Sequence, residues 1–182
     1  RGGAAFEMAG WSVDDIDCID LYSCFPSAVE AGCAELGIAT DDPRGLTITG
    51  GLPYFGGAGN AYVMCSIAQM VEKLRAEPGK KGLVTGNGWY LTKHSMGLYS
   101  TEPVTGKWSR TDPAVYQARI AALDHPILDE HPEGEGTVEG YTVGPARDKV
   151  RMGIVIGKPN SGKRLIARVP YDLGPADGNN AE

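Results

Sequence analysis

The sequence lacks a long apolar run. No stretch approaches the roughly 18 residues of a membrane-spanning helix, and the opening "RGGAAFEMAGW" has neither the apolar core nor the cleavage site of a secretory signal. The sequence therefore predicts no membrane span and a cytoplasmic location. The same opening resembles the end of a helix and carries no initiating Met, which predicts a fragment whose N-terminal part is absent.

Cysteine is scarce, with four in 182 residues, and no two of them form a C-x-x-C pair. They lie in apolar surroundings at positions 18, 24, 33 and 65. This pattern predicts reduced, mostly buried thiols and argues against a zinc site or a disulfide framework. No metal site is predicted.

Aromatic residues are few where positive charge is concentrated. The formal net charge is −6, yet residues 140–171 hold seven Lys or Arg against one acid, Asp148, which gives +6 there and −12 elsewhere. Single-stranded nucleic acid needs stacking aromatics as well as positive charge. Only Tyr141 and Tyr171 are available, so nucleic-acid binding is an unfavoured alternative to CoA phosphates or an acidic neighbouring domain.

A nucleotide-binding P-loop is nearly complete but is not supported. Gly157, Gly162 and Lys163 match its spacing in "GIVIGKPNSGKRL", whereas position 164 is Arg where magnesium binding needs Ser or Thr. The following "RLIARVP" alternates polar and apolar residues like a strand rather than a helix. We therefore predict a β-hairpin with its tip at residues 159–162.

The first hundred residues alternate strand and helix signals. Strands are predicted at 17–22, 46–50, 81–87 and 95–100, and helices at 26–37 and from near Asn60. This β-α-β-α-β-β order predicts an α/β layered fold with parallel strands. Ligand sites in such folds lie at the carboxyl ends of the strands, so the functional loops are expected after Tyr22, Gly50 and Asn87.

The composition changes after residue 103. The predicted organisation is an α/β part at 1–103, a linker and short helix at 104–123, a small antiparallel β-barrel at 124–172 and a disordered tail at 173–182.

The loop after Gly50, "GGLPYFGGAGNAY", is rich in glycine. Glycines let the backbone approach a ligand closely, and a helix beginning at Asn60 would direct free N–H groups at an anion. Substrate-binding positions are therefore predicted at Gly56, Gly57, Gly59 and Asn60. A tight turn packed against neighbouring residues is the structural alternative.

Three segments carry a family resemblance. In this order and spacing, "DDIDCIDLYSCFPSAV", "TITGGLPYFGGAGNAY" and "GLVTGNGWYLTKHS" resemble the C-terminal half of the thiolase superfamily. The nearest branches are the acetyl-CoA acetyltransferase-like proteins and the thiolase-like protein type 1 group, which has an extra C-terminal barrel. The resemblance covers residues 1 to about 103, and residues 134–169 look like the OB-type barrel of such proteins.

The resemblance implies acyl transfer on CoA thioesters, with acyl-CoA as substrate and no further cofactor. It also implies an N-terminal thiolase half that carries the nucleophilic cysteine and acts as a partner of this part. Self-association or a separate partner protein are further partners that the sequence leaves open.

The residues at the family's catalytic positions are replaced. Tyr22 stands where the family has asparagine, Gly57 where it has the activating histidine, and Asn87 near the position of its acid/base cysteine. Glycine and asparagine cannot transfer protons, so the standard mechanism is not supported. A substitute set is predicted from His94, with Lys93 beside it and Tyr22 at the same strand ends, and with Asn87 completing the site.

Two histidines and one cysteine are weaker candidates. His125 and His131 lie in an acidic, loop-like segment, and Cys24 occupies a position where the family has alanine. A lone histidine beside a strand is also compatible with a purely structural role. The leading functional hypothesis is an acyl-CoA-handling thiolase-like protein, and the alternatives are a noncatalytic acyl-CoA-binding or partner-docking module and a nucleic-acid binder.

Overall fold

The computed structural model describes residues 3–106, 109–144 and 151–171. The chain divides into two compact units, Arg1–Ile120 and Ala121–Glu182, which are described separately. Residues 145–150 of the predicted barrel and the predicted tail at 173–182 lie outside the described residues. Among the described residues no helix has both the length and the apolar character needed to cross a bilayer.

The first unit combines helices with a three-stranded sheet. Its elements are α1 (Gly3–Ala9), a 3-10 turn (Val13–Asp15), β1 (Cys18–Asp20), α2 (Pro26–Leu36), α3 (Leu52–Phe55), α4 (Tyr62–Ala76), β2 (Lys81–Gly88), β3 (Lys93–Ser100) and α5 (Pro113–Ala121), which reaches the unit boundary. The second unit contains β4 (Gly136–Val143), β5 (Arg151–Pro159) and β6 (Leu165–Tyr171). The mixed α/β fold that the sequence predicts is confirmed.

The first sheet has the order β1-β2-β3 and is only partly parallel. β1 and β2 run parallel, with Ile19 opposite Leu83, whereas β2 and β3 are antiparallel, with Asn87 opposite His94. Four residues, 89–92, join β2 to β3, and a parallel connection needs a much longer crossover. The expectation of parallel strands therefore holds for β1 and β2 and is wrong for β3.

Apolar side chains cover both faces of this sheet. One buried cluster joins Ile19 and Leu83 to Cys33 and Leu36 of α2, and a second joins Cys18 and Val84 to Met70 and Leu74 of α4. Successive strand residues point to opposite faces, so β1 and β2 contribute to both clusters in alternation. The sheet is consequently a central layer between α2 and α4.

Gly82 in β2 makes the close packing of α4 possible. A Cβ atom at this position would lie 2.9 Å from Cγ of Met70 and closer still to its sulfur. Met70 is completely buried at this contact. The absence of a side chain at position 82 therefore sets how near α4 approaches the sheet.

The helix boundaries follow local sequence signals. α2 has Pro26 at its first position and ends at Gly37, whose left-handed φ of 73° is typical of a helix C-terminus. These boundaries were expected from the sequence and are confirmed. α4 begins at Tyr62 after Ala61, so Asn60 precedes the helix and does not open it as predicted.

The predicted strand at 46–50 is wrong, because these residues form an irregular segment held by a buried carboxylate. Asp20 at the end of β1 is fully buried, and its Oδ2 accepts hydrogen bonds from the backbone N–H groups of Ile48 (3.0 Å) and Thr49 (3.1 Å). The same oxygen accepts from the hydroxyls of Thr47 (3.0 Å) and Thr49 (3.1 Å). The carboxylate thus accepts hydrogen bonds from backbone N–H groups that would otherwise be available to pair with a neighbouring strand.

A second polar clamp joins two loops of the first unit. The Arg44 guanidinium binds both carboxylate oxygens of Asp42 at 2.8 and 2.9 Å. It also donates to the carbonyl oxygens of Val13 (2.8 Å) and Ile16 (2.9 Å). The Arg44 hydrogen bonds lower the pKa of Asp42 from its usual 3.8 to about 2.

The second unit has an antiparallel three-stranded sheet of order β4-β5-β6, with a bulge between Val138 and Gly140. The P-loop sequence forms the predicted hairpin, since Gly162 N–H donates to the Pro159 carbonyl at 2.9 Å and β6 follows at Leu165. The antiparallel strands are confirmed. Within the described part of the chain they form an open sheet rather than the expected closed barrel.

We expect Asp20→Asn to destabilise the first unit by about 2 to 4 kcal/mol, because an amide cannot accept all the hydrogen bonds that reach the buried carboxylate. Urea denaturation measures the loss, and amide exchange at Ile48 and Thr49 should become faster. Asp41→Asn, at an exposed neighbouring carboxylate, is the matched control and should change stability by less than about 0.5 kcal/mol. Equal stability of Asp20→Asn and the parent chain would contradict this account.

The Asp42–Arg44 clamp predicts a pH dependence. A pKa that is lower in the folded state stabilises the fold above about pH 3.8, and this contribution disappears as the pH falls through about 2. The stability difference between the parent chain and Asp42→Asn should therefore be constant near neutral pH and shrink between about pH 4 and pH 2. Thermal unfolding at a series of pH values measures it, and a difference that stays constant down to pH 2 would refute the assignment.

Candidate functional site

Three loops of the first unit converge at one end of the sheet. They are residues 22–25 after β1, residues 49–61 before α4, and the end of β2 at Asn87. The Tyr22 N–H donates to Thr85 Oγ1 of β2 at 2.9 Å, and the Leu52 N–H donates to Ser23 Oγ at 2.9 Å. These bonds tie the first loop to β2 on one side and to the second loop on the other.

Tyr62, the first residue of α4, is the centre of this convergence. Its side chain is buried, and its hydroxyl lies 2.7 Å from Thr49 Oγ1 and 3.5 Å from Ser23 Oγ. Its ring meets Tyr22 edge-on, with centroids 5.6 Å apart, and Phe55 at 6.1 Å. Tyr62 therefore contacts two of the three loops that the sequence predicts to form the site, although Tyr62 itself was not predicted as a site residue.

Gly57 also lies against Tyr62. A Cβ atom at Gly57 would be 3.3 Å from the Tyr62 Cβ, closer than side chains normally pack. A larger side chain at position 57 would require Tyr62 to move. The predicted positions Tyr22 and Gly57 are therefore brought together by a third residue, and Tyr62 restricts the position at which the family has its histidine.

The other predicted substrate-binding residues lie on the solvent-exposed part of the second loop. Gly56, Gly59 and Asn60 are exposed. Gly56 and Gly59 have φ values of 81° and 57°, which glycine adopts without steric cost, and a Cβ at either would meet no atom within 4 Å. The loop therefore leaves its backbone accessible.

Asn87 has a buried side-chain oxygen that forms no hydrogen bond with any described residue. Its Nδ2 lies 3.6 Å from Cys24 Sγ in the first loop, a weak donor contact. Its Oδ1 is buried and is the one buried side-chain polar atom without a partner among the described residues. A buried acceptor without a donor costs free energy, so this oxygen is suited to receive a hydrogen bond from a ligand.

His94 lies next to Asn87 in the sheet but points to a different partner. The two residues are opposite each other in the β2–β3 pairing. His94 is exposed, and its Nε2 lies 2.8 Å from the Leu91 carbonyl in the turn between the strands. Lys93 is exposed as well. His125 belongs to the second unit and hydrogen-bonds through Nδ1 to the Leu123 carbonyl at 2.9 Å.

Exposed aromatic side chains surround the convergence of loops. We call them the aromatic rim: Phe25, Tyr54, Phe55, Trp89 and Tyr90, of which Tyr54 and Tyr90 are 90% and 88% exposed. Trp89 and Leu91, in the turn that carries part of the rim, have positive φ values of 56° and 61°. Such values are unfavourable for these side chains and concentrate at functional positions.

The cysteines agree with the sequence analysis in being unpaired thiols. Burial raises the pKa of Cys18 and of Cys33, which makes both poor nucleophiles at neutral pH. Cys24, beside Asn87, is only partly buried. In the described part of the chain no three His, Cys, Asp or Glu side chains are grouped so that they could hold a metal ion.

Of the two central residues that the sequence did not predict, Asp20 had a sequence signal and Tyr62 had none. Asp20 is a charged residue inside an otherwise apolar strand, and such a residue needs buried donors. Thr47 and Thr49 could have been recognised as those donors. Tyr62 had no comparable signal, because an aromatic residue at a helix start is also compatible with simple core packing.

Comparisons with known proteins match both units. The family described as the thiolase-like protein type 1 additional C-terminal domain matches residues 116–181. Among solved structures, a monomeric SCP2-thiolase like protein type 1 from Mycobacterium smegmatis is 45% identical, with a TM-score of 0.81 over 91% of this chain. This chain spans 36% of that protein's chain. No curated protein matches the sequence. Together, the domain match and the structural likeness relate this chain to the thiolase-like protein type 1 group.

Proposed function

We propose that this chain handles acyl-CoA thioesters as part of a longer thiolase-like acyltransferase in which the standard histidine and acid/base cysteine are replaced. The observation that carries the proposal is the buried, unpartnered Oδ1 of Asn87 at the convergence of the three loops. Similarity to the thiolase-like protein type 1 group supports the substrate class.

Asn87 fits a binding role in the proposed site. The pantetheine arm of CoA contains amide N–H groups and a hydroxyl, which can donate to Oδ1. The thioester oxygen can only accept, and the Asn87 amide can donate to it through Nδ2. A neutral amide of this kind orients the thioester but does not exchange protons, so the proposed role of Asn87 is to position the substrate.

The glycine-rich loop and the aromatic rim support the same proposal. The loop exposes its backbone around Gly56 and Gly59, close to the start of α4, where helix N–H groups have no acceptor within the helix. The rim provides exposed apolar surface, including Tyr54 and Trp89, against which an acyl or pantetheine chain can pack. We propose that the rim also contacts further polypeptide of the longer protein, since this chain spans 36% of its solved relative.

A second candidate function is a noncatalytic acyl-CoA-binding or partner-docking module. It is favoured by the position of His94, which is exposed and bound to the Leu91 carbonyl of its own turn. It is also favoured by Gly57, which offers no proton-transfer group and is confined by Tyr62. The first candidate and the acyl-CoA-binding form of the second place acyl-CoA at the same loops and differ in whether turnover follows, whereas the partner-docking form needs no acyl-CoA. Nucleic-acid binding is not proposed, because no observation favours it.

We predict that Asn87→Leu in the longer protein weakens acyl-CoA binding about 2- to 10-fold, the effect of one or two lost neutral hydrogen bonds. Fold stability should be unchanged or higher, because Oδ1 has no protein partner to lose. Calorimetric titration with acetyl-CoA and urea denaturation measure the two effects. Gln117→Leu, at an exposed amide on α5, is the matched control and should leave both unchanged. A loss of stability without a change in binding would refute the role of Asn87.

The role of His94 is tested by thiolysis of acetoacetyl-CoA in the longer protein. If His94 transfers a proton, His94→Ala should lower turnover about 100-fold while acyl-CoA affinity stays within about twofold. Unchanged turnover would remove His94 from the mechanism. Acyl-CoA binding without turnover in the parent protein would select the noncatalytic candidate.

A further inference from the structure

The hairpin that replaces the P-loop borders a cavity in the second unit. The cavity is an open surface groove of about 420 Å³, lined by residues 124–127, Glu139, Lys158 and residues 161–164, all of which are exposed. All of these residues belong to the second unit, and none of them belongs to the loops around Tyr62. Its volume is within the range of small-molecule sites, roughly 300 to 1,000 Å³, and exceeds the needs of a bare ion.

Backbone hydrogen bonds fix the walls of this cavity. The Arg164 N–H donates to the Ile127 carbonyl at 2.8 Å, and the Asp129 N–H donates to the Arg164 carbonyl at 2.7 Å. On the hairpin side, the Asn160 N–H donates to the Glu135 carbonyl at 3.2 Å, and Gly162 closes the turn with φ of 81°. The walls are thus formed by paired backbone before any ligand enters.

Positive charge in the cavity is incompletely neutralised. Lys158, Lys163 and Arg164 face the carboxylates of Asp124 and Glu139, an excess of one cation. Arg164 Nε is paired with Glu139 Oε2 at 2.9 Å, whereas neither lysine forms an ion pair with any of the described residues. Two ammonium groups on either side of a tight turn attract an anion with several oxygens.

We propose that this cavity binds the phosphate group of a phosphate-bearing small molecule. Lys158 and Lys163 supply the charge, and the Ser161 hydroxyl at the hairpin tip supplies a hydrogen-bond donor. The remaining volume, toward residues 124–127, accommodates the organic part of the ligand. The proposal concerns the second unit and does not depend on acyl-CoA binding at the loops around Tyr62.

Isothermal titration of the 182-residue chain tests this site with three probes: inorganic phosphate, adenosine 3′,5′-bisphosphate and coenzyme A. We expect the bisphosphate to bind, and Lys158→Ala/Lys163→Ala to weaken it at least 10-fold. Lys73→Ala/Lys80→Ala is the charge-matched control and should change affinity less than twofold, since these lysines pair with Glu77 in the first unit. Amide NMR shifts at residues 161–164 should follow the titration and also report whether the sheet of the double variant is intact.

The outcomes separate the sources of the phosphate. Binding of the bisphosphate and coenzyme A supports the proposed site for a phosphate-bearing small molecule, whereas binding of inorganic phosphate alone would overturn the assignment of an organic ligand. Binding of coenzyme A with NMR shifts confined to the loops around Tyr62 would support the proposed function and overturn this proposal. No binding of any probe at millimolar concentration, equal losses in both double variants, or clearly tighter binding of single-stranded DNA would also overturn it.

Discussion

The buried carboxylate of Asp20 is the interaction on which the arrangement of the first unit depends. It terminates β1 inside the protein and converts residues 47–49 from a strand into an irregular segment. The same segment presents Thr49 to the Tyr62 hydroxyl, which itself lies 3.4 Å from Asp20 Oδ1. One acceptor therefore positions the second loop and the start of α4 together. Because a desolvated carboxylate tolerates few alternatives, these two elements are fixed relative to β1.

This constraint gives the candidate site a base whose polar groups are held by hydrogen bonds. The polar groups beneath the loops are paired with protein partners, while Asn87 Oδ1 is buried and unpaired. The aromatic side chains of the rim are mostly exposed. Such a site is suited to binding. Its supporting hydrogen bonds are already formed, and the ligand adds the one that is missing at Asn87 Oδ1.

Much of the fold was predictable because its signals are local. Pro26 and Gly37 bound α2, and the alternation in residues 163–169 identified the hairpin strand in place of a P-loop helix. The loops that meet were identified from the order of strands and helices. The strand predicted at 46–50 is wrong because the pattern "LTITG" is typical of a strand, whereas the outcome depends on Asp20. This residue is distant in sequence and accepts hydrogen bonds from the backbone N–H groups of Ile48 and Thr49. The central position of Tyr62 depends on three loops meeting in space, which no single segment reveals.

The missing side chain at Gly82 has a consequence for how this protein can change. Met70 occupies the space that a methyl group would need, so even alanine at that position would require this buried side chain of α4 to shift. The same helix carries Tyr62 at its first turn, and packed interiors transmit such displacements. A substitution deep in the sheet would therefore reshape the loops without touching them. Position 82 is therefore expected to accommodate a side chain less well than Gly56 and Gly59 of the second loop, where a Cβ atom would meet no neighbour.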